Sequence, residues 1–417
     1  MKQVGITNYN KVNCADSSFW SSVAGKALPA TMYMLVYSIY TFVFANDMNV
    51  NLIRLTYGVY YAMTAWFIIC SIKYCKSSRF LKYLTLLTTI FIIYGVFLYI
   101  NGTSGWKEHR EPSSFLLDYI PRILPIFAFY YFGIRGIINE RWFRIFFILF
   151  FLDVLLLYLS QQRSLIENSL NGETDFVNNS GYMVASLLSL ICFFDKSKIV
   201  QFVLAAVIIG FTIICFKRGA ILCAGLSFIY FLYISLKTTK RRNKILIVIL
   251  FVASLFVLSG FIENLMDSND FFFNRVMETK EGKSSERDNI YGFFLNYFFS
   301  ADNGFNFIWG NGAYGTTKIY GTEAHNDWLE VAIDFGIVGL ILFMSFWLSI
   351  YKNIRYSKKY ISTALFSAVV MCVIFIFSRT FFSMSIGDLS FVSASVLGCG
   401  MGLIDRERKG LNGRKLK

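Results

Sequence analysis

Charge is what this chain has least of. Asp, Glu, Lys and Arg make up 16% of its 417 residues, against about 25% in a soluble protein. A string of soluble domains is therefore excluded. Cysteines are present but form no CxxC pair, and most sit inside apolar stretches (Cys70, Cys192, Cys215, Cys223, Cys372, Cys399). Neither a zinc site nor a disulfide framework is indicated. No GKS or GKT follows the glycines of WGNGAYG, so there is no P-loop. No DxD and no histidine–carboxylate metal spacing occurs. The chain shows no low-complexity segment and no internal repeat, and the missing repeat counts against a secondary transporter built of two halves.

What is there is hydrophobicity in long runs. The chain is 56% hydrophobic and 18% aromatic. The runs are roughly 18 to 22 residues long, enough to cross a hydrocarbon core about 30 Å thick. They predict helices near 28–46, 54–72, 81–100, 118–136, 143–160, 179–194, 198–216, 219–236, 245–262, 329–351, 361–380 and 388–404. The expected fold is an all-α polytopic membrane protein with about 12 transmembrane helices. Residues 1–26 are polar and carry no cleavable signal, so the first helix is expected to remain as an anchor.

The net charge of +14 reads as cytoplasmic flanking charge rather than as a nucleic-acid surface. With the N-terminus in the cytoplasm and strict alternation, KTTKRRNK (237–244), KNIRYSKK (352–359) and the tail DRERKGLNGRKLK all fall inside. The acidic stretch around Glu167, Glu173 and Asp175 falls outside. Both termini are then cytoplasmic and the positive-inside rule is met. Three parts follow: transmembrane helices one to nine in 1–262, a large outward loop in 263–328, and helices ten to twelve with a basic tail in 329–417. A loop of about 65 residues without a long apolar run tends to be functional.

Three features converge on that outward face. Arg218 lies in CFKRGAIL, at the turn between the seventh and eighth helices. Arg287 lies in SSERDNIYGFFLNYFF within the large loop. Ser285 and Asp288 suggest a helix start there, and Ile290, Phe293, Phe294, Tyr297 and Phe298 give the helix one apolar face, suited to the membrane interface. An arginine beside free backbone N–H groups suits a phosphate. His325, one of two histidines, lies in EAHNDWLEVAIDFGIVG, just ahead of the tenth helix, where Asp327 with Glu330 would form the cap. An imidazole titrating near ~6.5 suits a general base. His109, in KEHREP, has no supporting context. Arg122, in DYIPRILP, and Arg379, in FSRTFF, are further outward cations, with Asp334 a candidate counter-ion to one of them. The loop glycines would allow close approach to a ligand. Arginines with one histidine point to metal-free handling of a phosphorylated substrate.

This pattern resembles the O-antigen polymerase and O-antigen ligase superfamily. The likeness rests on KRGAIL, on the loop arginine of SSERDNIYGFF, and on AHNDWLEVAIDFGIVGLILF, with Glu330, Gly336 and Gly339 following the histidine. Glu286 departs from the small residue the family often has before the loop arginine. The resemblance implies an inverting, metal-independent glycosyltransferase with no cofactor, using a glycan on undecaprenyl diphosphate as donor. Arg218 and Arg287 would bind the diphosphate and His325 would activate the acceptor hydroxyl. Beyond what the resemblance carries over, Arg122 is a candidate further phosphate contact, and Arg379, Glu330 and Asp327 are expected to be substrate-binding. The partners expected are the lipid-linked donor and acceptor, the bilayer, and a chain-length regulator protein, with no nucleic acid. The location expected is a bacterial inner membrane, the site facing the periplasm. Composition rich in Phe, Tyr, Ile and Lys leans toward an O-antigen polymerase. An O-antigen ligase acting on lipid A core and a capsular polysaccharide polymerase are the alternatives. A lipid-linked oligosaccharide flippase is the rival of another class, and Asp153 is its main support.

Overall fold

The computed structural model describes residues 27–101, 114–170, 177–239, 241–268, 273–274, 276–277, 280, 287–300, 304–357, 361–383 and 389–415. His109, Glu173, Asp175, Ser285 and Glu286 lie outside the described residues. The chain is an all-α membrane protein; no strand occurs among the described residues. The helices are α1 Leu28–Ala45, α2 Val50–Ile72, α3 Arg79–Asn101, α4 Phe115–Arg135, α5 Glu140–Leu170, α6 Gly181–Phe193, α7 Lys198–Ile214, α8 Arg218–Thr238 and α9 Arg241–Ser268. They continue with α10 Arg287–Phe299, α11 Gly304–Trp309, α12 Gly315–Tyr320, α13 Asp327–Ser357, α14 Thr363–Arg379 and α15 Phe391–Lys415.

Among the described residues, eight helices are long and apolar enough to cross a membrane: α1 to α5, α8, α9 and α13. Three shorter apolar helices, α6, α7 and α14, lie among them. Each apolar run expected from the sequence is helical, but several helices outrun their apolar core. α5 begins at Glu140 and α13 continues to Ser357. Hydrophobicity marks only the part a bilayer covers, whereas backbone hydrogen bonding carries a helix into the polar flanks.

α4 and α15 form the closest pair in the interior. A Cβ at Gly133, Gly398 or Gly402 would land on the backbone of the facing helix, at Cys399, Ile126 and Tyr130 respectively. Small residues four apart let two helix backbones touch, which is how helices associate where lipid supplies no hydrophobic drive. Several of the polar groups this bundle buries find partners across helices. Asp153, on α5, accepts from Ser38 Oγ at 2.9 Å, so the carboxylate invoked for a transport pathway joins α1 to α5. The last turns of α6 wind as a 3-10 helix, Leu187–Phe193. There the Ile191 carbonyl takes Gln201 Nε2 at 3.0 Å and the Phe193 carbonyl takes Arg144 Nε at 2.7 Å.

α13 is broken near its start. Gly336 has φ 64 and ψ −164 in an otherwise helical run, a conformation open in practice only to glycine. The break frees carbonyls, and the glycine-rich loop answers them: Asn311 N–H donates to Ile333 at 2.9 Å and Gly312 N–H to Asp334 at 3.0 Å. A side chain at Gly336 would strike Ile308, and one at Gly310 would strike Asp334. The glycines of WGNGAYG therefore permit close approach to a broken helix, where the sequence suggested approach to a ligand. Irregular backbone at such depth is tolerable because protein groups satisfy it.

Candidate functional site

The turn after α14 is the hub of the site. Thr380 accepts the Asp327 N–H at its carbonyl, 2.9 Å, and the Trp328 indole N–H at its hydroxyl, 2.9 Å. Phe381 offers its carbonyl to the Tyr291 hydroxyl at 3.1 Å. Phe382 faces Gly219 at the start of α8, 3.6 Å from where a Cβ would stand. One short turn thus gathers the heads of α8, α10 and α13, three stretches far apart in sequence. α8 runs antiparallel to α14, since Gly219 meets Phe382 while Cys223 meets Ser378 one turn further in.

Arg218 heads α8. The preceding turn puts Phe216 at φ 54 and is stapled to the segment before α6: Asn178 N–H donates to the Cys215 carbonyl at 3.0 Å, and Lys217 Nζ reaches Asn179 Oδ1 at 2.6 Å. Gly181 and Gly219 let the two segments close, because a Cβ at 181 would press on Cys215 and one at 219 would run into the Tyr182 hydroxyl. The tight Lys217-Arg218-Gly219 turn expected from the sequence is present, and Tyr182 is what makes its glycine necessary.

Arg379 closes the cluster. It is 2% exposed, and its guanidinium carbon lies 4.1 Å from the Tyr182 ring centroid, within cation–π range. Arg287, the first residue of α10 and half-buried, lies within electrostatic reach of Tyr182. Arg218 and Arg287 both stand at helix N-termini, where the helix dipole disfavours a cation. That cost would be offset by an anion held between them. Arg122 is elsewhere in the chain, exposed on Ile120–Ile123 and next in α4 to Phe115–Tyr119, whose Phe115 packs edge-on against Tyr314.

His325 follows the large loop in a left-handed backbone, φ 52, which costs a non-glycine residue about 1 kcal/mol or more. Three groups hold it there. Tyr291 Oη reaches its carbonyl at 3.4 Å. Glu330 takes the N–H of Ala324 on one carboxylate oxygen, 2.5 Å, and the Thr316 hydroxyl on the other, 2.6 Å. Asn326 Oδ1 takes the N–H groups of Trp328 and Leu329, at 3.0 and 3.3 Å.

Three expectations are corrected here. The cap of α13 is Asn326, and Asp327 is already helical and buried. Glu330, expected against substrate, is 5% exposed, and both its oxygens serve the chain. The loop needed an acceptor for two buried donors, and that demand outweighed the cap. Asp334 is likewise not placed against an arginine. It accepts the Thr316 N–H at 3.0 Å and has Lys318 as its cationic neighbour. Burial lowers the Lys318 pKa, and the Asp334 charge partly restores it.

α10, the helix expected at the membrane interface, is docked by one face on the head of α13. Ile290, Phe294 and Phe298 bury against Ala324, Ala332 and Ile333, which aims Tyr291 at the hub; burial raises the Tyr291 pKa, and the Arg287 charge opposes the rise. Its outer face stays apolar, with Phe299 72% exposed and Phe305 of α11 75% exposed. A separate cavity of about 500 Å³ lies between α3 and the loop, lined by Tyr94, Phe97, Trp309, Asn311 and Lys318 among others. His325 and the arginines are not in its wall. Among the described residues no three His, Cys, Asp or Glu side chains group as a metal set.

The sequence reading named Arg218, Arg287, Arg379 and His325 as candidates. It missed Tyr182, Tyr291, Thr316 and Asn326. Only Asn326 carried a local signal, as a capping residue ahead of an apolar run. No curated protein matches the chain. Residues 202–344 match the family described as O-Antigen ligase. The matched stretch includes Arg218, Arg287 and His325 and stops short of Arg379; Tyr182 precedes it.

Proposed function

We propose that the chain, whose residues 202–344 match the family described as O-Antigen ligase, is a polysaccharide polymerase of the O-antigen polymerase and ligase superfamily. It moves a glycan from undecaprenyl diphosphate onto a hydroxyl of a second lipid-linked repeat unit. One observation supports this reading: Arg287 and Arg379, from distant segments, reach Tyr182, whose hydroxyl packs on Gly219 beside Arg218, while the turn that follows Arg379 also anchors the head of the helix after His325.

In this mechanism the arginines hold the donor diphosphate and stabilise the negative charge that builds as it leaves. His325 takes the proton of the acceptor hydroxyl. The acceptor oxygen bonds to the anomeric carbon from the face opposite the diphosphate, whose C–O bond breaks, and the configuration inverts. Glu330 acts through the His325 turn as a positioning residue, and Asp327 through its tie to Thr380. Arg122 remains a candidate for a further phosphate contact. The isoprenoid tail lies against the apolar outer face of α10. The site faces the periplasm from the inner membrane, and both termini are cytoplasmic. A chain-length regulator is a partner consistent with this activity.

The family's description favours a second reading, ligation of the finished glycan to lipid A core. Purified protein supplied with a lipid-diphosphate-linked repeat unit decides between them. A ladder of longer glycans on a gel is expected for the polymerase. Transfer only when lipid A core is added marks the ligase. Translocation of the lipid across vesicles with no new glycosidic bond overturns both in favour of a flippase.

A further inference from the structure

Tyr182 bears a buried hydroxyl that no group among the described residues engages. The residue is 2% exposed, and its oxygen has no hydrogen-bond partner among the described residues. Ser383 comes near without completing a bond. Buried polar groups are almost always bonded, and leaving one unmet is costly. The hydroxyl carries a second cost. It occupies the space in which residue 219 would place a Cβ, so the chain must have glycine there, at the head of a membrane helix, where glycine is a poor helix former.

Packing does not explain these costs. Stacking on Arg379 uses the face of the ring, and a phenylalanine ring provides that face as well. A phenylalanine would also leave nothing polar buried. The position of the oxygen does explain them: it lies at the first turn of α8 beside Gly219, with Arg379 across the ring and Arg287 in electrostatic reach. An anion entering among these groups would be the hydroxyl's missing acceptor.

We propose that Tyr182 is a substrate contact, its hydroxyl donating to a phosphate oxygen of the lipid diphosphate while its ring holds the Arg379 guanidinium flat for the same ligand. This deepens the proposed function and rests on it. A neutral O–H adds a directional bond to the anion without adding a further positive charge beside Arg287 and Arg379. The ring restricts the arginine before the ligand arrives, so less freedom is lost on binding.

The test uses the full chain in detergent, with undecaprenyl diphosphate as the probe and the elongation assay alongside. Tyr182→Phe is expected to keep the melting temperature of the ligand-free protein. It should weaken probe binding about 10- to 100-fold, the usual loss for one hydrogen bond to a charged group, with donor KM raised and acceptor KM unchanged. Tyr182→Leu should weaken binding further, because Arg379 loses its platform. Gly219→Ala should harm the wild type yet be better tolerated in Tyr182→Phe, where the colliding oxygen is gone. If Tyr182→Phe binds and turns over like the wild type while Arg287→Ala is impaired, the hydroxyl has no ligand role, and the diphosphate reading stands without it. If the probe fails to bind the wild type, or if Arg218→Ala and Arg287→Ala bind it normally, that reading falls and takes this inference with it.

Discussion

At the scale of single residues, the site divides into groups that would meet substrate and groups that hold those in place. His325→Ala is expected to abolish elongation, a loss of about 10²–10⁴ for a general base, with the protein still inserted and folded. Near-normal turnover would remove the imidazole from the mechanism. Glu330 separates the two roles further. Glu330→Ala leaves the Ala324 N–H and the Thr316 hydroxyl without their acceptor, at about 2 kcal/mol or more, and should lower both melting temperature and kcat. Glu330→Gln keeps one acceptor oxygen and should retain much of both. Equal damage from the two would mean that the charge itself is used in the reaction. Arg218→Lys and Arg287→Lys should each raise donor KM, since a lysine keeps the charge and loses the forked contact. An unchanged donor KM would reduce these arginines to general cations.

At the scale of elements, the broken start of α13 and the loop that fills it form one unit. Ile333 and Asp334 lend their carbonyls to Asn311 and Gly312, and Glu330 and Asp334 both reach back to Thr316. The turn carrying His325 is thereby referenced to a membrane helix instead of floating at the end of a long loop. Gly336→Ala tests this unit. It demands a backbone that costs other residues about 1–3 kcal/mol and drives a Cβ into Ile308. Faster cleavage of the 304–325 region by protease is expected, with the remaining helices intact. Undiminished protection would mean that the loop is held by other contacts. The α4–α15 seam should respond differently. Gly402→Leu forces apart two helices that touch by backbone, so loss of the whole folded protein is expected, read as loss of a monodisperse peak in detergent.

At the scale of the whole molecule, the geometry puts the heads of α8, α10 and α13 and the tail of α14 at one end of the bundle. The orientation proposed from flanking charge sets that end outside. Ser77, exposed in the turn between α2 and α3, and Ser300, exposed just after α10, are suitable reporters. In intact cells Ser300→Cys should react with an impermeant maleimide, and Ser77→Cys only after the membrane is opened. The reverse pattern would invert the topology and put the site in the cytoplasm.

The sequence alone determined that this is a membrane protein of apolar helices, where those helices run, and which cations and which histidine stand at their ends. Such properties follow from hydropathy and helix-end chemistry, which act over one or two turns and can be read locally. Only the tertiary structure decided that Arg287 and Arg379 meet at Tyr182 beside the head of α8, that Glu330 and Asp334 serve the loop, and that the loop glycines fit a broken helix. Each of these depends on which groups meet across tens to hundreds of ångströms of extended chain. A hydrogen bond such as Glu330 to Thr316 leaves no pattern in the residues beside it, because nothing local requires it until the helices have packed.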